Sequence, residues 1–216
     1  MSALSLPGPL LVVTDRLGSD RSLADTVAAC LDGGARWVWF RDRDLDPAER
    51  RRLGATLLGL TRAAGARLTI GGDLDLAAEL GADGVHLGGG QHDRIAAARA
   101  RLGPAALVGV SAHTLAEVAR AAFEGADYAT LSPIFASASK PGYGPALGPD
   151  AIRDAAATGL PIVALGGVSA ETLDACLAAG AKAVAVMGGL MRAPDPAVAT
   201  RLLLGRFPVN RFGVVA

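Results

Sequence analysis

The sequence predicts a single (β/α)8 TIM barrel, and three observations support this prediction. Short apolar runs alternate with amphipathic segments of helical period along the chain. Several of the junctions repeat one pattern, in which a helix end is followed by Gly-Ala, a polar residue and a strand. Eight such units within 216 residues fit a compact closed barrel. The alternative is an open doubly wound sheet, which usually has fewer strands at this length.

The predicted strands are too short and too uniformly apolar for half-exposed antiparallel strands. Such runs are typical of parallel strands that are covered on both faces. In chain order they are "LLVVT" (10–14), "WVWF" (37–40), "RLTI" (67–70), "GVHL" (84–87), "ALVGV" (106–110), "YATL" (128–131), "PIVAL" (161–165) and "AVAV" (183–186).

The segments between these strands have helical period, as in "SLADTVAACLDGG" and "TLAEVARAAFEG". A glycine at the end of such a segment supplies the left-handed residue that ends a helix. We therefore expect an N-terminal segment over 1–9, the barrel over 10–204, and a loose or docking C-terminal tail over 205–216. No linker or low-complexity stretch divides the chain.

The composition excludes several classes of function. The 21 basic residues balance 21 acidic ones, and nothing suggests a nucleic-acid surface or a membrane anchor. The N-terminal apolar run is too short for a signal peptide or a membrane span, which predicts a cytoplasmic protein. Cys30 and Cys176 fall inside helical patterns, where buried thiols are more typical than a disulfide.

Two pairs of glycines follow the last two predicted strands. In a barrel of this kind the active site lies at the carboxyl ends of the strands, often with a phosphate site after strands seven and eight. Backbone N–H groups exposed by glycine, together with the start of a short helix, suit a phosphate. The alternative is that the glycines only form tight turns. The predicted phosphate cup consists of Gly166, Gly167, Met187, Gly188 and Gly189.

The longest loop follows strand six and spans 132–148. It carries Ser137, Ser139 and Lys140, and hydroxyls beside an ammonium group suit an anionic ligand. A loop of this length is usually functional, although a solvated surface loop is the alternative.

Strand two is followed by alternating charges, with Arg41 and Arg43 interleaved with two aspartates. If the strand geometry continues, alternation places both arginines on one face, where they would bind a carboxylate or phosphates. An exposed charge run at the start of a loop is the alternative. Strand one ends in a weaker polar signal, Thr14, Asp15 and Arg16.

Two histidines lie near the ends of strands four and five. His86 ends an apolar run, while Ser111 and His113 follow strand five. A lone histidine in an apolar run is usually a core residue. At the mouth of a barrel, a binding or acid–base role is as well supported.

Taken together, the sequence resembles the thiamine phosphate synthase/TenI family of (β/α)8 proteins over about residues 10 to 200. The segments that carry the resemblance are "GADGVHLG", "VGVSAHT", "GADYATLSPIFASASK", "IVALGGVS" and "AVMGG". The resemblance implies either a synthase, which joins a pyrimidine pyrophosphate to a thiazole phosphate with Mg²⁺, or a metal-free tautomerase of a thiazole carboxylate phosphate. The family's thiazole phosphate site corresponds to the Ser137–Ser139–Lys140 segment and the glycine cup, with Gly188 in place of the synthase's usual serine.

The pyrophosphate half departs from the synthase pattern. Arg41 is retained and a lysine becomes Arg43, but Trp39 replaces a glutamine. The Asn-Asp pair after strand three corresponds to Gly71-Gly72, and the Asp after strand four corresponds to Gln91. Mg²⁺ prefers hard, anionic oxygen ligands, which glycines do not supply. A metal site would form only if one of two nearby carboxylates, Asp73 or Asp93, shifted into a ligand position.

These departures favour a metal-independent tautomerase that binds a phosphorylated thiazole, with no cofactor. The histidine of a TenI-type tautomerase corresponds to Pro133, so the expected catalytic groups are His86 or His113, together with Lys140. Arg41, Arg43, Ser111, Ser137 and Ser139 are the expected substrate ligands.

A divergent synthase, with Mg²⁺ and a pyrimidine pyrophosphate as second substrate, is one alternative. A non-catalytic binding or regulatory protein is the other. The sequence is compatible with an oligomer as well as with a monomer.

Overall fold

The computed structural model describes residues 5–136 and 145–208. Eight parallel strands pair in chain order, and the last returns to the first to close a barrel. The predicted (β/α)8 fold is therefore confirmed, and the open doubly wound alternative is excluded. The strands are β1 Leu10–Val13, β2 Trp37–Phe40, β3 Arg67–Gly71, β4 Gly84–Leu87, β5 Leu107–Ala112, β6 Tyr128–Leu131, β7 Ile162–Leu165 and β8 Ala183–Val186.

Helices surround the barrel, and several begin at a residue whose side chain accepts a backbone N–H. Asp46, Asp73 and Asp195 cap their helices in this way, and Thr114 forms a capping box with Glu117. The described helices are α1 Leu23–Asp32, α2 Pro47–Ala63, α3 Leu74–Leu80, a 3-10 turn His92–Arg94, α4 Ile95–Leu102, α5 Leu115–Phe123, α6 Asp150–Ala156, α7 Leu173–Ala178, α8 Gly188–Met191 and α9 Pro196–Leu204. Within the described ranges, no helix is long and apolar enough to cross a membrane.

The hydrophobic core has two layers because successive strand residues point to opposite faces. One layer fills the space between the sheet and the helices, and Phe207 beyond α9 packs against it. The other fills the barrel interior, where this aromatic-poor chain places large rings: Trp37 meets Tyr128 edge to face at 4.7 Å. The interior layer consists of Leu11, Val13, Trp37, Trp39, Leu107, Tyr128, Val163, Ala183 and Ala185.

A glycine in β5 makes room for the buried tyrosine of β6. A Cβ atom at Gly109 would lie 2.0 Å from the Tyr128 ring, closer than any real contact. Tyr128 therefore fills the space that a side chain on β5 would otherwise occupy. This packing matters for the site because the Tyr128 hydroxyl reaches His86 on β4.

The same alternation continues past the strand ends and decides what faces the barrel mouth. In β2, Trp37 and Trp39 point inwards, so the next inward positions are Arg41 and Arg43. Both arginines line the cavity at the carboxyl ends of the strands. The short apolar strands thus determine which polar residues can face a ligand.

Candidate functional site

A cavity of about 1250 Å³ opens at the carboxyl ends of the strands. This is the end at which (β/α)8 enzymes carry their active sites. Typical sites for one small ligand occupy roughly 300–1000 Å³, so the cavity has space for more than one. Its wall includes most of the predicted site residues that the structure describes, namely Arg41, Arg43, Ser111, His113, Gly166, Gly167, Met187, Gly188 and Gly189.

One end of the cavity is built from backbone. Gly166 and Gly167 follow β7 with φ of 91° and 65°, and Gly188 and Gly189 begin α8. A Cβ at Gly167 would lie 2.5 Å from the carbonyl oxygen of Ala136. The chain after β6 therefore packs directly on the β7 turn. The structure brings the predicted phosphate-cup residues together on one wall.

Another part of the cavity wall, after β2, carries cationic side chains. The backbone N–H of Arg41 donates to Thr14 Oγ1 at 2.9 Å, which fixes where the chain leaves β2. The Arg41 guanidinium lies 3.9 Å from Met187 Sδ. The pKa of Arg43 is lowered, first by partial burial and then by the positive charges of Arg41, Arg50 and Arg94. Positive charge is therefore concentrated after β2.

The aspartates that alternate with these arginines are held by the end of β1. Asp42 accepts the Thr14 hydroxyl at 2.5 Å and the Arg16 backbone N–H at 2.8 Å. Asp44 forms an ion pair with the Arg16 guanidinium at 2.6 Å. The polar residues 14–16 thus connect the end of β1 to the end of β2. Thr14 and Arg16 bind the carboxylates of both aspartates.

His86 lies beneath the cavity floor. It is fully buried, its Nδ1 is 2.8 Å from the Tyr128 hydroxyl, and its Nε2 is 3.0 Å from Ser111 Oγ. The ring stacks on Trp39 with centroids 3.8 Å apart. Burial, followed by the charge of Arg43, lowers the pKa of His86 to about 3. His86 is therefore a neutral interior histidine that supports Ser111, and it is not among the described residues that line the cavity.

His113 lies in the cavity wall instead. Its Nδ1 is 2.8 Å from the carbonyl oxygen of Ser132. A carbonyl only accepts, so in the neutral ring the proton is on Nδ1 and Nε2 is the basic nitrogen. Of the two predicted histidines, His113 is the one that lines the cavity. Pro133, which follows Ser132, also lines the cavity.

Three predicted residues, Ser137, Ser139 and Lys140, lie outside the described residues. Their roles in anion binding, and for Lys140 in catalysis, remain predictions. Ala136, which precedes the gap, and Ala146, the second described residue after it, both line the cavity.

Comparison with known proteins identifies the family. The family model described as thiamine monophosphate synthase, TMP-TENI, matches residues 10–190. The chain belongs to this family. It is 44% identical over 199 residues to a thiamine-phosphate synthase of Chromobacterium violaceum, covering 92% of this chain and 95% of that protein. It is 40% identical over 200 residues to the thiamine-phosphate synthase of Roseiflexus castenholzii, covering 91% and 86%.

A solved structure of a family member agrees with the fold. Thiamine phosphate pyrophosphorylase from Pyrococcus furiosus superposes with a TM-score of 0.79 at 29% identity, covering 90% of this chain and 92% of that one. The thiamine phosphate synthase family thus accounts for the closed barrel.

The family implies Mg²⁺, and the donor set of this chain does not fit that ion. Among the residues that the structure describes, no three His, Cys, Asp or Glu side chains converge to hold a metal. Asp73 caps α3 and pairs with Arg50 at 2.9 Å, while Asp93 is exposed in the 3-10 turn. Gln91 Oε1 accepts the backbone N–H of Gly88 at 2.9 Å. Neither Asp73 nor Asp93 is therefore positioned to bind a metal ion in the cavity.

Sequence reasoning missed two arginines that organise this region. Arg50, in the first turn of α2, donates to the carbonyl oxygens of Asp42 and Gly71 at 3.1 and 2.8 Å. Arg94 donates to the carbonyl oxygen of Gly72 at 3.2 Å. No local motif marks them, because both bind a carbonyl oxygen of another β/α unit, Gly71 for Arg50 and Gly72 for Arg94.

Proposed function

We propose that the chain is a thiamine phosphate synthase that joins hydroxymethylpyrimidine pyrophosphate to a thiazole phosphate. Relatives of this name are 40% and 44% identical over nearly the whole chain. The observation that carries the proposal is that one cavity is lined by arginines after β2 and by glycine pairs after β7 and β8. We propose that the two sets of residues bind the phosphate groups of two different substrates.

The chemistry of this reaction suits the residues of the cavity wall. The bond between the pyrimidine methylene carbon and oxygen breaks, and the electron pair leaves on pyrophosphate. The lone pair of the thiazole nitrogen forms the new carbon–nitrogen bond. Guanidinium groups stabilise the departing charge, which is the role we propose for Arg41 and Arg43. Ser111 lines the same cavity, and we propose that its hydroxyl donates to the same substrate.

This reaction removes no proton from the thiazole nitrogen, so it requires no general base at the new bond. A neutral, buried His86 is compatible with it, since His86 then acts through the position of Ser111. The cavity volume of about 1250 Å³ is also better matched to two substrates than to one.

A thiazole tautomerase is a second candidate, and one observation favours it. The basic Nε2 of His113 belongs to a ring in the cavity wall, where a proton could be moved on a thiazole held by its phosphate. In this candidate the arginines would bind the substrate carboxylate. The base would be His113 and not His86.

Incubation of the purified protein with both synthase substrates tests the proposal, with product measured by chromatography and mass spectrometry. Thiamine phosphate should form, and its absence at high enzyme concentration ends the synthase proposal. A parallel incubation with the thiazole carboxylate phosphate alone tests the second candidate. Turnover that disappears in His113→Asn and persists in His86→Asn would support the tautomerase.

A further inference from the structure

We infer that the guanidinium of Arg43 takes the place of a divalent cation and forms, with Arg41, a metal-independent site for the diphosphate group. The identity of the natural diphosphate rests on the proposed function. The site itself is argued from the structure, and it is tested with inorganic pyrophosphate alone.

The first argument is the space that Arg43 occupies. A Cβ atom at Gly72, after β3, would lie 3.2 Å from Cζ and Nη2 of Arg43. A Cβ at Gly88, after β4, would lie 3.4 Å from its Nη1. The guanidinium thus fills the space that side chains at these two positions would enter. The two glycines leave space after β3 and β4, and the guanidinium of Arg43, which follows β2, occupies that space.

The second argument is that this cation has no internal counter-ion. In residues 5–136 and 145–208, Arg43 forms no ion pair and no hydrogen bond. The two neighbouring arginines differ: Arg50 is paired with Asp73, and Arg94 donates to the Gly72 carbonyl. The guanidinium N–H groups of Arg43 are therefore available to a ligand.

The third argument is the sign of the local charge. Arg41, Arg50 and Arg94 are close enough to lower the pKa of Arg43. Such a cluster repels a divalent cation and attracts a polyanion. A planar guanidinium binds two phosphate oxygens at once, which matches a diphosphate better than a single-charge ligand.

The position of Arg43 also links two spaces. It lines the main cavity and a smaller one of about 230 Å³, whose wall includes Gly72, Arg50 and Arg94. A diphosphate held by Arg43 would therefore lie at the edge of the substrate cavity, on the same side as Arg41.

Titration calorimetry with inorganic pyrophosphate tests the inference, in buffer with EDTA and in buffer with MgCl2. We expect binding in EDTA that is no stronger in MgCl2. Arg43→Gln should weaken it about tenfold or more, the value of a lost charge-assisted hydrogen bond pair. Arg52→Gln is the matched control, because Arg52 is an exposed arginine of α2 and should bind like the wild type.

A second variant introduces a carboxylate beside the guanidinium. Gly72→Asp should pair with Arg43 and weaken metal-free binding about tenfold. Gly65→Asp is its control, since Gly65 also has positive φ, 61° against 71°, but its Cβ would meet nothing within 4 Å. Thermal unfolding checks that each variant is folded.

Binding that requires MgCl2, or an unchanged affinity in Arg43→Gln, would overturn the inference. The outcome is separable from that of the proposed function. Metal-free pyrophosphate binding without product formation defeats the synthase proposal only. Product formation with strictly Mg²⁺-dependent pyrophosphate binding defeats this inference only.

Discussion

Glycines in two regions of the site, after β7 and after β3, have opposite structural roles. At the end after β7, a Cβ on Gly167 would meet backbone, the Ala136 carbonyl at 2.5 Å. At the end after β3, a Cβ on Gly72 would meet the tip of a side chain, the Arg43 guanidinium at 3.2 Å. The first glycine permits two loops to touch, whereas the second leaves space for a charge.

This difference predicts how each end responds to change. Backbone that is fixed by two packed loops cannot withdraw, so substitution there affects both folding and binding. A guanidinium at the end of a flexible stem can move, so substitution there changes charge and affinity with a smaller effect on folding. The glycine end is therefore the constrained half of the site, and the arginine end is the adaptable half.

The largest effect is expected for Gly167→Ala. Positive φ costs about 1–3 kcal/mol for a residue with a Cβ, and the overlap with Ala136 adds to this cost. Loss of two N–H groups that contact phosphate should weaken thiazole phosphate binding about 100-fold, at about 1.5 kcal/mol each. Calorimetry and thermal unfolding measure the two effects.

Gly159→Ala is the matched control for this variant. Gly159 also has positive φ, 79°, but its Cβ would have nothing within 4 Å. It should share the backbone cost and keep full ligand affinity. Equal behaviour of the two variants would refute the constrained character of the glycine end.

A smaller effect is expected for the pH dependence of stability. This dependence tests whether His86 is a buried structural residue beneath the cavity or a residue that contacts the ligand. The pKa of buried His86 is about 3, below its ordinary value of 6.5. Between these values the unfolded chain binds a proton that folded His86 does not, so stability falls as pH falls below 6.5. From pH 7 to pH 5 this contributes a loss of about 2 kcal/mol.

His86→Asn should remove this contribution. The variant will be less stable at pH 7, because it loses the contacts with Tyr128 and Ser111. Its free energy of unfolding should nevertheless fall less between pH 7 and pH 5 than that of the wild type. The other histidines are present in both proteins, so their contributions to the pH dependence of stability cancel when the two profiles are compared. Parallel pH profiles in denaturant titrations would show that folding does not lower the pKa of His86.

The smallest effect is expected for Arg41→Gln. This variant tests whether the arginines and the glycines of the cavity bind different substrates. Loss of one charge-assisted contact should raise the KM for the pyrimidine pyrophosphate about tenfold. The KM for thiazole phosphate should change less, because the proposed ligands of its phosphate are the backbone N–H groups of the glycine cup and not Arg41. A rise in both values to the same extent would mean that the ends are not independent.

Much of the site could be predicted from single strands. Alternation past β2 placed Arg41 and Arg43 on one face, and both line the cavity. The glycine pairs after β7 and β8 likewise lie on one wall. These predictions need only the period of a strand and the rule that barrel sites lie at the carboxyl ends.

The position of His86 could not be decided in this way. Its burial depends on Tyr128, which lies 42 residues away and is accommodated only because position 109 is glycine. No pattern local to "GVHL" carries that information. The sequence therefore left a core role and a catalytic role open, and contacts across the barrel interior resolved the geometry.

The sequence by itself predicted the closed barrel and the end that carries the site, because both follow from local period, and its resemblance to the family predicted that carboxylates are missing at Gly71, Gly72 and Gln91. Only the tertiary structure decided what fills the gap those carboxylates leave. Gly72, Gly88 and Arg43 come from three different β/α units, and their proximity follows from the register of β2, β3 and β4. A side chain can fill a space in another unit only once the barrel has closed.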